Sequence, residues 1–530
     1  MHIRQVLFAE PHIFFYSIMS ESSHQNRTKI IWYSITIFVS SAILLVLEIT
    51  AGRLIAPYVG VTIYSWTSII GVILAGLSLG NWLGGLWADR GGNESSIGIV
   101  LTLSAIFSVF SLLVLSWIAP ILQNSQLDLI SSSFLYILGM FFIPAVLLGI
   151  PTPLLTTLAL HLDKRTGYIV GRMHALAAMG SIIGTFITGF VLIQYIGSRN
   201  IIIFSSIILF VLALPFFRSI PVRISAMMIS LGLLVVLLTH HQQGFSNPCD
   251  VESNYFCLRV VDSSDQVPSG SAKALVLDHL VHGINHETEA DLLIAPYVHL
   301  MQELAEQHFE PQKVSQLSYF FAGGGSYTQP RAVKAAFPQS RITVAELDPS
   351  VTEIVQRKMY VDIKGMDVIH GDARTILHRL DDKLFDVIVT DAFHDIAIPY
   401  HLVTQEYIQL VKSRLSNNGL FTTNVVDAFP NPKMVKSLMK TLQQEFDHVD
   451  IWLDKIPQQA QRMTFVISAS NQSFKADMIE SRRGFNRRWF RINTPLQKSG
   501  TLMKDLPIFS DDYVPVERLI ADLLLTTEGL

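Results

Sequence analysis

Four features in the second half of the chain carry residue types that do chemistry: Gly323-Gly324-Gly325, Glu346-Leu347-Asp348, Gly371-Asp372-Ala373 and Asp391. Consecutive glycines let a backbone approach a bound ligand closely. Glu346 follows Gly325 by 21 residues, a spacing that puts its carboxylate at the next strand end, where it can accept from two ribose hydroxyls. Asp372 suits the exocyclic amine of a base. Asp391 falls where reacting atoms would meet, and a carboxylate held there can take up a proton. Each acid alone also fits a cap or a turn; their serial order is what points to a nucleoside site.

Such an order requires strands that deliver the residues to one edge. Apolar runs predict strands over Leu317–Ala322, Ile342–Leu347, Asp367–His370, Phe385–Asp391, Leu420–Val425, Val449–Trp452 and Thr464–Ala469. Helical stretches alternate with them, at Glu289–His308, Val351–Met359, Thr404–Leu415 and Pro432–Glu445. That alternation predicts a doubly wound, parallel α/β sheet of Rossmann type, which binds ligands beyond the carboxyl ends of its strands. Shorter strands at Tyr255–Val261 and Ala274–Leu277 predict a small β subdomain ahead of it.

The first half is different in kind. Half of the 530 residues are hydrophobic and only 15% are charged, too apolar for an ordinary water-soluble chain. Seven apolar stretches explain it, near Ile30–Ile49, Trp66–Trp87, Ile97–Ile118, Phe134–Leu158, Ala175–Ile193, Ile201–Phe217 and Ile224–Leu238. Each is close to the length a helix needs to cross a bilayer. The domain plan is therefore an amino-terminal segment 1–28, a multi-pass transmembrane α-helical bundle over 29–240, a small β subdomain over 250–290 and a Rossmann-type domain over 291–530. Glycines every four residues, at Gly76, Gly80 and Gly84 and again at Gly180 and Gly184, predict close helix contacts. Pro144, Pro151 and Pro153 predict a kinked or broken fourth helix.

Arg27, Lys29, Arg90, Lys164, Arg165, Arg172, Arg218 and Arg223 fall on one side of these stretches, against Arg53 and Arg199 on the other. The excess predicts a cytoplasmic amino terminus in the plasma (inner) membrane and, after seven crossings, an extracytoplasmic second half. Cys249 and Cys257 are the two cysteines; the sequence leaves open a disulfide loop or two thiols. A net charge of −4 with no basic patch excludes nucleic acid as a partner. His282 and His286 are four apart, but Gly283 and Asn285 between them suggest a turn and no clear third ligand stands at zinc-type spacing, so no metal site is expected.

The segments Phe321-Ala322-Gly323-Gly324-Gly325-Ser326-Tyr327-Thr328-Gln329-Pro330-Arg331, Ala345-Glu346-Leu347-Asp348-Pro349, Gly371-Asp372-Ala373-Arg374 and Asp386-Val387-Ile388-Val389-Thr390-Asp391-Ala392-Phe393 together resemble the spermidine synthase (polyamine aminopropyltransferase) family. Its membrane-fused branch is the nearest likeness. Asn424-Val425-Val426-Asp427 and Ser510-Asp511-Asp512-Tyr513-Val514-Pro515-Val516-Glu517 extend it, so that it covers roughly Glu252–Leu524. The resemblance implies a class I methyltransferase-like fold and aminopropyl transfer from decarboxylated S-adenosylmethionine, a co-substrate, with no permanently bound cofactor. It implies that Gly323, Gly324 and Gly325 approach the nucleoside, that Glu346 holds its ribose, and that Asp372 and Ala373 hold its adenine. Asp391 would be the general base toward an amine, with Asp395 a displaced second acid; independently of the resemblance, His394 and His282 are proton-transfer candidates near Asp391, with surface or supporting roles equally open. Ser326, beside Tyr327, stands where the family grips the diamine with an acid, and His282 stands in place of its glutamine.

Two rival readings remain at this stage. The same fold and base, placed outside the cytoplasm, would serve another amine without an S-adenosyl donor, for example in cyclisation or aminolysis at an exported polypeptide's amino terminus. Alternatively the chain is a non-catalytic transport or assembly module. The expected partners are a small or polypeptide amine and the lipid bilayer, with homo-oligomerisation left open.

Overall fold

The computed structural model describes residues 11–125, 127–393, 398–457 and 459–524, and the chain divides into two compact units.

Among the described residues, the first unit contains seven helices long and apolar enough to cross a membrane: Gln25–Val59, Ile63–Asp89, Glu94–Gln123, Leu129–Leu162, Thr166–Ile196, Ser198–Arg218 and Val222–His241. Lacking side chains, Gly76, Gly80 and Gly84 let the second helix lie directly on the backbone of the fourth. A Cβ at Gly80 would fall on the Val146 carbonyl oxygen, and one at Gly84 would stand 2.6 Å from that of Ile150. Gly180 and Gly184 bring the fifth helix equally close to Phe38 and Ala42 of the first. Both contacts are of the small-residue kind that joins helices where burial from water supplies little. The fourth span breaks after Gly149 and resumes at Pro151, because proline has no N–H to give a continuing helix yet suits a helix's first turn.

The second unit begins with a four-stranded antiparallel sheet in the order β1 (Val251–Glu252), β2 (Cys257–Asp262), β3 (Ala272–Leu277) and β4 (Leu280–His286). A disulfide joins Cys249 to Cys257 and ties down its first edge. The segment from His282 to His286, which the intervening Gly283 and Asn285 suggest is a turn, lies in strand β4; its pairing with β3 shifts register at His282, where Gly283 takes up a φ of 142° that favours glycine.

A nine-stranded sheet follows. Its parallel part has the order β9 (Leu415–Phe429), β8 (Phe385–Thr390), β5 (Ser318–Ala322), β6 (Arg341–Glu346) and β7 (Asp367–His370). The sheet is mixed rather than wholly parallel. Beyond β9 lie β11 (Gln461–Ser470), β10 (His448–Leu453), β13 (Arg488–Arg491) and β12 (Met478–Glu480), each antiparallel to its neighbour. Phe321, Val344, Val387 and Val389 fill the core beneath the strand ends with Leu304, Val333 and Val355 from the helices. Rigid strands thus carry the acids to one edge.

Candidate functional site

Each strand tip is locked to the next. Gly323 N–H donates to Ala345 at 2.9 Å, Gly371 N–H to Glu346 at 2.9 Å and Asp391 N–H to Ala322 at 3.0 Å. Gly323 has φ 99°, and a side chain there would strike the Asp391 carbonyl; this close approach is what the first glycine makes possible. Glu346 is 6% exposed. Its Oε2 accepts from the Gly324 and Gly325 N–H groups at 2.8 and 3.2 Å and its Oε1 from Asp348 N–H at 2.9 Å. Burial raises its pKa, and these backbone donors oppose the rise.

The tips surround a cleft of about 420 Å³ lined by Gly323, Gly325, Glu346, Asp372, Ala373 and Asp391, with His282 opposite. That volume is in the range of small-molecule sites. Phe393, Ile398, Pro399 and Leu402 give it apolar walls, and Val516 and Glu517 reach it from the carboxyl-terminal segment. His394 and Asp395 lie outside the described residues.

Asp372 has two tasks. Its Oδ1 caps the helix Ala373–Arg379, accepting from Thr375 N–H at 2.8 Å and from the Thr375 hydroxyl at 2.7 Å, while its Oδ2 meets His401 Nε2 at 2.7 Å. Burial pushes its pKa up, but the Thr375 donors and His401 outweigh it and hold it below the usual range. The next residue but one, Arg374, makes paired contacts of 2.7 Å to both carboxylate oxygens of Asp511.

Asp391 stands where the cleft meets a smaller chamber of about 100 Å³, which is also lined by His282, Phe393, Tyr297, Asn424, Arg462 and Thr464. Burial lifts its pKa to about 6, against the opposing pull of hydrogen bonds from Asn424 and Tyr297. Burial likewise holds His282 at about 4, so its ring is neutral near pH 7. A half-buried carboxylate poised near 6 between two chambers can accept a proton from an amine brought to it.

Ser326 and Tyr327 do not face the cleft. Ser326 is 2% exposed; its hydroxyl pairs with Thr328 Oγ1 at 2.6 Å, and Asn285 ties the same turn to β4 through the Ser326 carbonyl at 2.8 Å. Tyr327 turns at φ 55° so that its ring packs under Gly324 and its hydroxyl meets Thr352 at 2.7 Å. Both brace the glycine turn, and neither lines the cleft. Tyr297 and Asn424 are the site residues that sequence reasoning missed as such. Asn424 stands within a quoted motif, whereas Tyr297 lies in a helix with no local mark of function.

Strand tips that present a glycine turn, a buried glutamate and a poised carboxylate at one sheet edge define an α/β domain of the Rossmann type. Residues 321–478 match the spermine/spermidine synthase domain, and the carboxyl-terminal half of the chain carries that domain. A polyamine aminopropyltransferase of Vibrio vulnificus (strain CMCP6) is 32% identical over 168 residues, 31% of this chain and 53% of that protein. A probable polyamine aminopropyl transferase of Bifidobacterium longum (strain NCC 2705) is 23% identical over 218 residues, 38% of this chain and 48% of that one. The chain thus spans about half the length of the curated relatives it matches. The crystal structure of a probable spermidine synthase from Corynebacterium glutamicum ATCC 13032 superposes with a TM-score of 0.40 at 18% identity, over 49% of this chain and 95% of that one.

Proposed function

We propose that the second unit is a transferase that binds an S-adenosyl-type nucleoside in the 420 Å³ cleft and moves an aminopropyl group from decarboxylated S-adenosylmethionine to an amine. The position of Asp391, at the junction of the cleft and the smaller chamber, carries this reading. Glu346 takes the ribose, Gly323 and Gly325 let the backbone close on it, and Asp372 with Ala373 takes the adenine. The amine nitrogen attacks the methylene carbon beside the sulfonium. An N–C bond forms, the C–S bond breaks with its electron pair going to sulfur, and methylthioadenosine leaves. Asp391 receives the proton that the attacking ammonium must shed, a contribution of about 10²–10⁴ in rate. Neutral His282 borders both chambers and adds no charge to repel the amine.

We place the first unit in the plasma membrane with its amino terminus inside and the second unit outside. The loop charge asymmetry supports that orientation, as does the Cys249–Cys257 disulfide, a bond that persists in oxidising compartments. The same disulfide favours a second reading, in which the site performs amine chemistry outside the cytoplasm without an S-adenosyl donor.

Calorimetric titration of the detergent-purified chain with methylthioadenosine tests the nucleoside site, and absence of saturable binding sinks it. Release of methylthioadenosine from decarboxylated S-adenosylmethionine then separates the readings. Donor consumption that stops in Asp391→Asn supports the transferase; nucleoside binding without consumption leaves the donor-free reading.

A further inference from the structure

The chamber at Asp391 has a second neighbour. Tyr297, Arg462 and Thr464 line it and also line an outer cavity of about 190 Å³, whose lining includes Pro296, Met463, Asp454 and Lys455. Asp454 and Lys455 are exposed, so this cavity meets solvent, and it shares no lining residue with the nucleoside cleft. A short diamine needs only one small chamber. A chamber sharing its wall with a solvent-facing cavity suits an amine at the end of a longer chain.

The shared wall indicates what that chain carries. Thr464 lies opposite Val426 and Arg462 opposite Ala428 in the β11–β9 pairing, which puts both on one face of the sheet. They offer a hydroxyl and a guanidinium, and five N–H donors leave Arg462 able to serve a ligand beside any protein contact. Hydrogen-bond donors on that shared wall match a chain with regularly spaced carbonyl oxygens, which a peptide has and a polymethylene diamine lacks. A peptide's terminal ammonium also ionises near pH 8, so passing its proton to a carboxylate near 6 spans about two pH units, against about four for an alkylammonium.

We propose that the acceptor is the amino-terminal amine of an extended peptide, which reaches Asp391 through the outer cavity with its backbone carbonyls toward Arg462 and Thr464. The inference rests on the transferase reading for the reaction: the peptide nitrogen forms the new N–C bond, sulfur keeps the C–S electron pair, and the proton passes to Asp391.

The test uses the full chain in detergent, saturated with methylthioadenosine, titrated with trialanine amide, its N-acetylated form and 1,4-diaminobutane. Trialanine amide is expected to bind about tenfold more tightly than the diamine, and the acetylated peptide, which lacks the amine, about tenfold more weakly than its parent. Thr464→Trp, which fills the shared wall, should weaken the peptide about tenfold and leave methylthioadenosine within about twofold. If that variant does not fold, Arg462→Met, which removes the donors at nearly constant volume, should show the same loss. Tighter diamine binding, equal binding of the acetylated peptide, or a peptide affinity untouched by the wall variants overturns the inference. A chain that binds no methylthioadenosine but still binds trialanine amide loses the transferase reading and keeps the peptide site.

Discussion

Tyr297 shares the small chamber with Asp391, and burial together with that carboxylate's charge pushes the phenol's pKa well above its ordinary value. The phenol thus keeps its proton across the neutral range. Because it stabilises the ionised carboxylate, it lowers a pKa that burial alone would raise further. With Asp391 as base, kcat/KM should fall about tenfold per pH unit below about 6, where the carboxylate is protonated. Tyr297→Phe should move that limb to higher pH by about one unit, since a hydrogen bond to a charged group is worth about 1.5–3 kcal/mol. A limb that stays in place in the variant's pH–rate profile would remove Tyr297 as the partner.

The same elevation makes Asp391 costly to stability at neutral pH. Its folded pKa of about 6 lies above the ordinary carboxyl value, so the folded chain binds the proton more tightly than the unfolded one. Stability from this group is full below about pH 4 and is lost as pH rises through about 6. Asp391→Asn cannot ionise and should stabilise the protein by up to about 3 kcal/mol at pH 7.5, with a gain that shrinks toward pH 4.5. Thermal midpoints across that range check it; a gain that does not depend on pH would argue against the raised pKa.

Arg374 holds Asp511 through two contacts of 2.7 Å and also donates to the His401 carbonyl at 3.1 Å. It thereby joins the helix capped by Asp372 to the carboxyl-terminal segment that contributes Val516 and Glu517 to the cleft. Arg374→Ala should cost about 1 kcal/mol of stability, as for a partly exposed pair. Methylthioadenosine affinity should fall by about three- to tenfold as the segment loosens. Unchanged affinity by calorimetry would confine the pair to a structural role.

Gly80 allows two helices of the first unit to touch backbone to backbone. Gly80→Leu must part them and should abolish a monodisperse detergent-solubilised product, whereas Gly85→Leu, at a position with nothing within 4 Å, should not. Size-exclusion profiles of the two variants decide between close packing and general intolerance of bulk.

A periplasmically active reporter fused after Leu530 should give signal and a cytoplasm-dependent one should not, by the orientation proposed above. Reducing gels should show the shift expected of a Cys249–Cys257 disulfide, with no shift in Cys249→Ser. A cytoplasmic signal would overturn the proposed topology.

The strand ends were readable because glycine and acid at a strand terminus leave a local trace. The range read for β7, Asp367–His370, is the one observed, and the glycine turn follows β5 as expected. Strand direction leaves no such trace: β10 and β11 are as apolar as their parallel neighbours, so the antiparallel half of the sheet was not legible in alternation alone. Tyr297 escaped notice because its partner lies far away in sequence and its helix reads as ordinary amphipathic chain. Ser326 and Tyr327 stand away from the cleft for a related reason. Gly325 at φ 49° and Tyr327 at φ 55° turn the chain sharply, so that residues next to the glycines point inward rather than toward the cleft.

The backbone donors on both oxygens of Glu346 bear on selectivity. A carboxylate fixed in place before any sugar arrives loses little rotational freedom on binding, so more of each new hydrogen bond appears as affinity. Under the proposed ribose role, that fixed geometry also leaves the side chain no way to follow a misplaced hydroxyl. The site should therefore distinguish a nucleoside with adjacent cis hydroxyls from its 2′-deoxy counterpart through the sugar alone, before adenine or sulfur is read.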